Sequence, residues 1–527
     1  MNKKTERKID YTFIGDGNRK VDKKFNLLRD LSISKYLPDK VTDLVMVEIN
    51  NMIQIDQVEY YKTIPINDTL YNLIVPENFK MWTPKIIAVD FIAPTGFKKF
   101  KEKLSLNILN ENRTYRTFND NILEDVQESR KHTHSNWKFV ERVVSTDSNF
   151  FKGGSVVKKL PYPIDMIEIH TMQVGSGSTL SSVMFTLSDD FNNKFNDLLH
   201  SAPEPTLIKE NGKLNPLNRR QVLTSELIEY KEEVYDVIRN WMTANSPGYF
   251  SEVGFEQPIF EFSFYKSNPN MDEEQIEDIL SAIGLTDYRH PYSSKNYNEI
   301  KLSRYQNHKT SRRFNRSFTT VIYGDADKVY DQLNSKSNLS LFNSGTNNKA
   351  KIISNYLRHN LQDFIYSLSV TKYLFLFEIL YNRNRDNAIM DYENFNLKST
   401  KRLRDSLMKI SFNFATLRED LNYYHEIPKI NQEVFDFQFE IIDKKYNLFD
   451  EIISVQKDLI NNIKSQDEIY RNILSTVSSL GASEDSYKQS RLALIVALIS
   501  LLVSAIPNLE NIIHFLKVIF EYLFGIL

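Results

Sequence analysis

The chain has no cysteine. Disulfides, thiol nucleophiles and thiolate-bound metals are therefore excluded, and the absence fits a cytosolic body. Net charge is nearly absent too. The 66 lysines and arginines against 68 aspartates and glutamates leave −2 over 527 residues, so bulk attraction to nucleic acid is not available. Helix breakers are missing from the second half: of 15 glycines only Gly481 and Gly525 follow Gly345, and of 16 prolines only Pro428 and Pro507 do. No Gly-x-Ser-x-Gly elbow, His-Glu-x-x-His pair or kinase signature occurs. His132 and His134 have the spacing of a strand-borne metal pair, but no third ligand follows at a recognisable distance. The expectation is a non-enzyme without metal or cofactor. The opening MNKKTERKIDYTF has charge with no apolar stretch behind it, so no amino-terminal signal is expected.

What is present divides into three textures, in line with about three domains for this length. Residues 1–345 mix strand-like and helix-like runs and predict a mixed α/β or α+β cytosolic sensor region. The strand candidates are Tyr11–Ile14, Leu44–Ile49, Lys85–Ala93, Met166–Val174, Val183–Leu187, Ile259–Tyr265 and Thr319–Tyr323, all rich in β-branched and aromatic residues. The helix candidates are Phe97–Leu109, Asp190–Leu199, Ser225–Trp241 and Met271–Ile283, the last with Asn270 to cap it and Gly284 to end it. A Pro- and Asn-rich stretch at 201–218 is the expected linker if this region forms two subdomains. Residues 349–480 predict a long-helix stalk, because Pro428 is their one breaker. Within it Asn431–Leu480 reads as one 50-residue helix with apolar positions about 3.5 apart, interrupted at Gln456 and Asp467. Leu361–Leu380 is apolar, but Asp363, Lys372 and Glu378 interrupt it and make it a core helix rather than a span.

The third texture, 486–527, is the most informative. Leu492–Leu509 is an uncharged run of 18 residues. As a helix it reaches about 27 Å, close to a hydrocarbon core of about 30 Å. Ala493, Ala497, Ser500 and Ser504 form one stripe of small side chains, suited to close helix packing or to the wall of a narrow pore, and Asn508 lies near its end. In the second segment, 512–527, an ionisable stripe of Glu510, His514, Lys517 and Glu521 faces away from a broad apolar side. Such a stripe must meet protein, water or headgroups, so this segment either lines an aqueous path or lies in the interface. Lys488 and Arg491 precede the first segment, and the linker after it offers no cation, which keeps the body in the cytoplasm.

The strongest binding signal is a basic run with interleaved rings. Lys301, Arg304, Lys309, Arg312, Arg313 and Arg316 alternate with Tyr305, His308 and Phe314, and no acid follows Lys301 before Asp325. Guanidinium groups pair phosphates and rings stack bases, so an anionic nucleotide or oligonucleotide is the expected ligand. A solvated basic loop is the plain alternative. Elsewhere Gly175-Ser-Gly177-Ser-Thr179 lacks the lysine of a P-loop and reads as a hairpin. Asp189-Asp190 are adjacent, so on a strand they would point to opposite faces, unlike the metal-binding acids of nucleotidyltransferases. Ser178, Asp189 and Asp190 would be the centre of a rival, a membrane-anchored nucleotide-processing enzyme. Asp325 and Asp327 read as a helix cap or loop.

An α/β body, long helices and two carboxy-terminal membrane segments joined by a short acidic linker resemble the CorA-like membrane proteins. The order of parts is also similar to that of membrane effectors in nucleotide-signalled bacterial antiphage systems. The family's cation transporters carry Gly-Met-Asn after the first span, where this chain has Ala505-Ile506-Pro507-Asn508 and shares only the asparagine. The resemblance implies a homo-oligomer in the bacterial inner membrane. Its membrane helices would gather round an axis, and its cytoplasmic body would sense a ligand made by a companion signal-producing protein. The expected function is a ligand-gated channel or pore-forming effector. A membrane-tethered non-catalytic scaffold is the third alternative.

Overall fold

The computed structural model describes residues 19–33, 38–109, 122–130, 136–174, 177–210, 213–285, 292–304, 319–343, 346–393, 397–426, 436–441, 444–480 and 497. The expected strand Tyr11–Ile14, the pair His132 and His134, and most of 486–527 lie outside them.

Thirteen strands occur among the described residues. The first seven are β1 (Lys80–Ile92), β2 (Asn136–Ser145), β3 (Val156–Lys158), β4 (Ile164–Val174), β5 (Ser178–Leu187), β6 (Thr206–Glu210) and β7 (Lys213–Leu217). The rest are β8 (Ile259–Lys266), β9 (Tyr292–Ser294), β10 (Lys301–Arg304), β11 (Thr319–Asp325), β12 (Phe437–Ile441) and β13 (Lys444–Asn447). Eleven form one mixed sheet in the order β13-β12-β9-β10-β11-β8-β1-β5-β4-β2-β3. Its pairs are antiparallel except β8 with β11 and β2 with β3.

Helices cover both faces. Before β8 come α1 (Arg19–Ile33), α2 (Asp39–Thr63), α3 (Phe97–Leu104), α4 (Ile122–Ser129), α5 (Asp189–Leu199), α6 (Arg219–Asn245) and α7 (Tyr249–Val253). After it come α8 (Glu273–Ala282), α9 (Ala326–Lys336), α10 (Lys349–Asn360), α11 (Gln362–Glu393), α12 (Leu397–Glu426) and α13 (Leu448–Leu480). Period-two alternation in β1 decides which layer each residue meets. Ile87, Val89 and Phe91 belong to the core shared with α10 to α13, whereas Ile86, Ala88 and Ile92 join the core with α3, α5 and α6. The core shared with α10 to α13 is aromatic: Phe91 stacks on Tyr373 of α11 at 4.3 Å, and Tyr249 lies 5.6 Å from Phe377. Burying a Phe side chain is worth roughly 1.5–3 kcal/mol, so these rings anchor α11 to the sheet.

The mixed α/β expectation holds for the described body; four of the expected strands fall within β4, β5, β8 and β11, and Lys85–Ala93 overlaps β1 up to Ile92. Leu44–Ile49 is a correction, since it lies in α2. Its apolar residues Val45, Met46, Ile49, Met52 and Ile53 recur at helical spacing and pack on Phe25 and Leu28 of α1. That tertiary contact outweighs the β-branched composition of the run. The stretch 201–218 holds the hairpin β6–β7, and Asn218 closes it with a capping box on α6. Helix α8 is capped by Asp272 rather than Asn270, through a bond from Gln275 N, and Gly284 follows it at φ 76°.

The expected 50-residue helix is also corrected. Phe437-Gln-Phe-Glu-Ile441 alternates apolar and polar residues and pairs as β12 with β13, so α13 is 33 residues, about 50 Å long. The two interruptions in its apolar pattern are tertiary contacts. Gln456 Nε2 donates to Ser367 O (2.8 Å) and to Thr371 Oγ1 (3.0 Å) of α11, and Tyr381 donates to Asp467 Oδ1 (2.6 Å). Among the described residues, Gln362–Asp386 of α11 is the one helix long and apolar enough to cross a membrane, and 78% of its apolar window is buried inside the protein. Its buried side chains face the sheet, α12 and α13, as a core helix requires.

Candidate functional site

Of the residues expected to bind a ligand, Lys301 and Arg304 bound β10, opposite Tyr323 and Thr320 of β11. Tyr305, Lys309, Arg312, Arg313, Phe314 and Arg316 lie outside the described residues. So do Ala493, Ser500, Ser504, Asn508, Glu510, His514, Lys517 and Glu521 of the tail; Ala497 is helical and buried.

Gly177 and Ser178, at the start of β5, are covered by protein. Asp420 of α12 accepts from Gly177 N (3.3 Å) and Ser178 N (2.8 Å). Arg130 donates to Gly177 O and Thr179 Oγ1, both at 2.7 Å. A Cβ on residue 177 would lie 1.7 Å from Thr416 Cγ2, so glycine lets α12 approach here. The start of β5 is a docking point for that helix. Asp189 and Asp190 sit in the first turn of α5 behind the cap Ser188, and each pairs a lysine: Lys351 at 2.7 Å and Lys194 at 2.9 Å. Asp325 caps α9. No group of three or more His, Asp or Glu that could hold a metal occurs among the described residues.

One charged constellation is both buried and reached by solvent at its edge. Register places Arg142 of β2 opposite Glu168 of β4, and Lys85 of β1 opposite Thr186 of β5, itself opposite Met166. Side chains at i and i+2 share a face, so all four polar residues point toward α10. Glu168 accepts from Arg142 Nε (3.1 Å) and Nη2 (2.8 Å), and from Arg358 Nη1 of α10 (2.6 Å). Arg358 Nη2 also donates to His170 Nε2. The Phe139 ring lies 5.4 Å from that imidazole, at 65°. Arg142 is 41% exposed, and Glu168 only 4%.

The electrostatics follow from three cations around one carboxylate. Burial would raise Glu168, yet Arg358, Lys85 and Arg142 hold it below its ordinary range. Burial pushes Lys85 down to about 8, with Glu168 opposing and the two guanidiniums reinforcing the shift. Burial, reinforced by Arg358, lowers His170 to about 3. The imidazole is therefore neutral and accepts from Arg358 through Nε2. A histidine depressed on folding supports stability above its unfolded value near 6.5 and withdraws that support as pH falls toward 3. A shift from 6.5 to about 3 is on the order of 5 kcal/mol. His170→Gln, which keeps an acceptor, should flatten the acid side of the stability curve between pH 6.5 and 3. Urea midpoints measured across that range test it, and parallel curves for the two proteins would refute it.

Two other polar networks are sealed. Glu261 of β8, fully buried, pairs with Lys231 of α6 at 2.7 Å and accepts from Tyr235 and Ser263. Asp90 of β1 accepts from the amides of Gly248, Phe250 and Ser251 at the start of α7 and from Ser251 Oγ. Burial pushes Asp90 up to about 6 against those four donors. Both networks hold secondary structure together, with no open face for a substrate.

No protein-family model matches this sequence, and no curated protein or solved structure matches it. The site therefore rests on its own geometry. The residues that build it are strand positions and a helix end far apart in sequence, and the signal available beforehand was a lysine opening the largely apolar strand run Lys85–Ala93.

Proposed function

We propose that the chain is an oligomeric membrane channel or pore-forming effector governed by its α/β body, acting at the bacterial inner membrane in antiphage defence. The observation that carries this reading is the uncharged run Leu492–Leu509, which only eleven residues separate from the end of α13. Helix α13 packs along α11, and α11 packs on the sheet, so a ligand that changes the sheet's packing has a short route to the tail. To shift a channel's equilibrium the ligand must bind one state more tightly than the other, and a tenfold preference supplies about 1.4 kcal/mol. The small-residue stripe and the ionisable stripe supply a packing seam and a polar face within the membrane. The basic run Lys301–Arg316 remains the proposed site for a nucleotide signal.

Membrane potential in expressing cells, together with fractionation, tests the reading. The full chain should partition with membranes and depolarise cells, and removal of residues 492–527 should abolish both effects. Ser500→Leu with Ser504→Leu should keep insertion and lose conductance. Full depolarisation by the double variant would remove the pore assignment, and a full chain that stays out of the membrane fraction would remove the membrane reading.

A further inference from the structure

The constellation around Glu168 contains more cation than its own contacts use. Lys85, Arg142 and Arg358 bring three positive charges against the single negative charge of Glu168, leaving two in excess. The imidazoles of His170 and of His359, the next residue after Arg358, are both lowered chiefly by burial and add none. Lys85 is 6% exposed, and its ammonium makes no hydrogen bond or ion pair among the described residues. Across the register from it, the buried Thr186 Oγ1 also has no hydrogen-bond partner. A buried ammonium beside two guanidiniums is unfavourable, and the one carboxylate of Glu168 offsets only one of the three charges.

The plain explanation of Arg358 is that a cation in the last turn of α10 complements the helix dipole and ties the helix to Glu168. That accounts for Arg358 and Glu168. It leaves Lys85 and Thr186 without a role, and both face the same ground.

We infer that this face of the sheet binds the dianionic phosphoryl group of a soluble phosphate monoester, held by Lys85, Thr186, Arg142 and Arg358. The charge excess matches a dianion, the dominant form of a phosphate monoester at pH 7 because its second proton leaves near pH 6. The donors match as well. Each guanidinium carries five N–H groups, and the contacts to Glu168 and His170 leave several on both arginines. The ammonium adds three donors and the threonine hydroxyl one, enough to serve three phosphoryl oxygens. Glu168, 3% exposed, and Lys85 lie too deep for a bilayer surface to reach, which points to a small molecule. The site belongs to the described body and does not depend on the membrane reading.

Calorimetric titration of the detergent-solubilised full chain with phenyl phosphate, inorganic phosphate and acetate tests the assignment. Both phosphates should bind saturably, and acetate at least tenfold more weakly. Lys85→Met should weaken phosphate binding at least tenfold, and the near-isosteric Thr186→Val about threefold, with unchanged circular dichroism. Affinity of the wild type should decline as pH rises from 7 to 9 and Lys85 loses its proton. Should Lys85→Met fail to fold, Thr186→Val and the pH profile still decide the matter. Absence of saturable phosphate binding by the wild type overturns the inference. So does wild-type affinity in a folded Lys85→Met protein, or in Thr186→Val together with a flat pH profile.

Discussion

Replacement of Glu261 by alanine should destabilise the protein by about 3–5 kcal/mol, the usual cost of removing one member of a buried ion pair. Lys231 has a side chain only 4% exposed, and Glu261 is its counter-ion at 2.7 Å. The same carboxylate accepts from Tyr235 and from Ser263, whose hydroxyl lies 2.7 Å from Thr83 Oγ1. Removing it takes the counter-ion from one ammonium and an acceptor from two hydroxyls between α6 and the middle of the sheet. The pair itself is not expected to be a large net stabiliser, because desolvating two ions offsets most of their attraction. Glu261→Gln combined with Lys231→Met keeps an acceptor for the hydroxyls and removes both charges. It should therefore be more stable than Glu261→Ala alone by about 2 kcal/mol or more. Urea denaturation of Glu261→Gln, Lys231→Met and the double variant gives the coupling, with Glu261→Ala measured beside them. Simple additivity, or a loss below about 1 kcal/mol for the alanine variant, would show that the pair is not isolated from water.

A second large effect is expected at Gly248. Its backbone is extended, so glycine is needed there for space and not for a left-handed φ. A Cβ would lie 2.5 Å from Asp90 Cγ and 2.7 Å from the carbonyl oxygen of Phe91. Neither neighbour can retreat cheaply. Asp90 is fixed by three amides and a hydroxyl, and Phe91 O belongs to the central strand. Gly248→Ala should cost about 3 kcal/mol, combining overpacking with partial loss of the carboxylate's donors. Gly254→Ala is the control: its φ of 71° costs about 1 kcal/mol, but nothing lies within 4 Å of the new Cβ. Equal midpoints for the two variants would contradict the steric account.

The central sheet was legible because its strands are rich in β-branched and aromatic residues. Lys85–Ala93, Val183–Leu187 and Ile259–Tyr265 all read correctly for that reason. Leu44–Ile49 did not, because composition alone favours a strand and only packing against α1 reveals the helix. Phe437–Ile441 was hidden by the opposite effect: a five-residue alternation inside a long helical window is averaged away. Gln456 and Asp467 looked like defects in a repeat and are instead the hydrogen bonds that register α13 on α11. The Glu168 constellation had no spacing to betray it. Arg358 and Glu168 are 190 residues apart, and only the fold brings them together.

The order of strands in the sheet also imposes a schedule on biosynthesis. β1 is complete at Ile92, but its neighbours on either side end at Leu187 and at Lys266. At about 5–20 residues per second, the wait for the second neighbour is roughly 9–35 s. For that interval a thirteen-residue strand, twelve of whose residues are destined for partial or full burial, has an unpaired edge in a growing chain. Such an edge is a template for pairing with another nascent copy. Yield should therefore respond more to translation rate and to chaperones that hold apolar segments than to the stability of the finished protein.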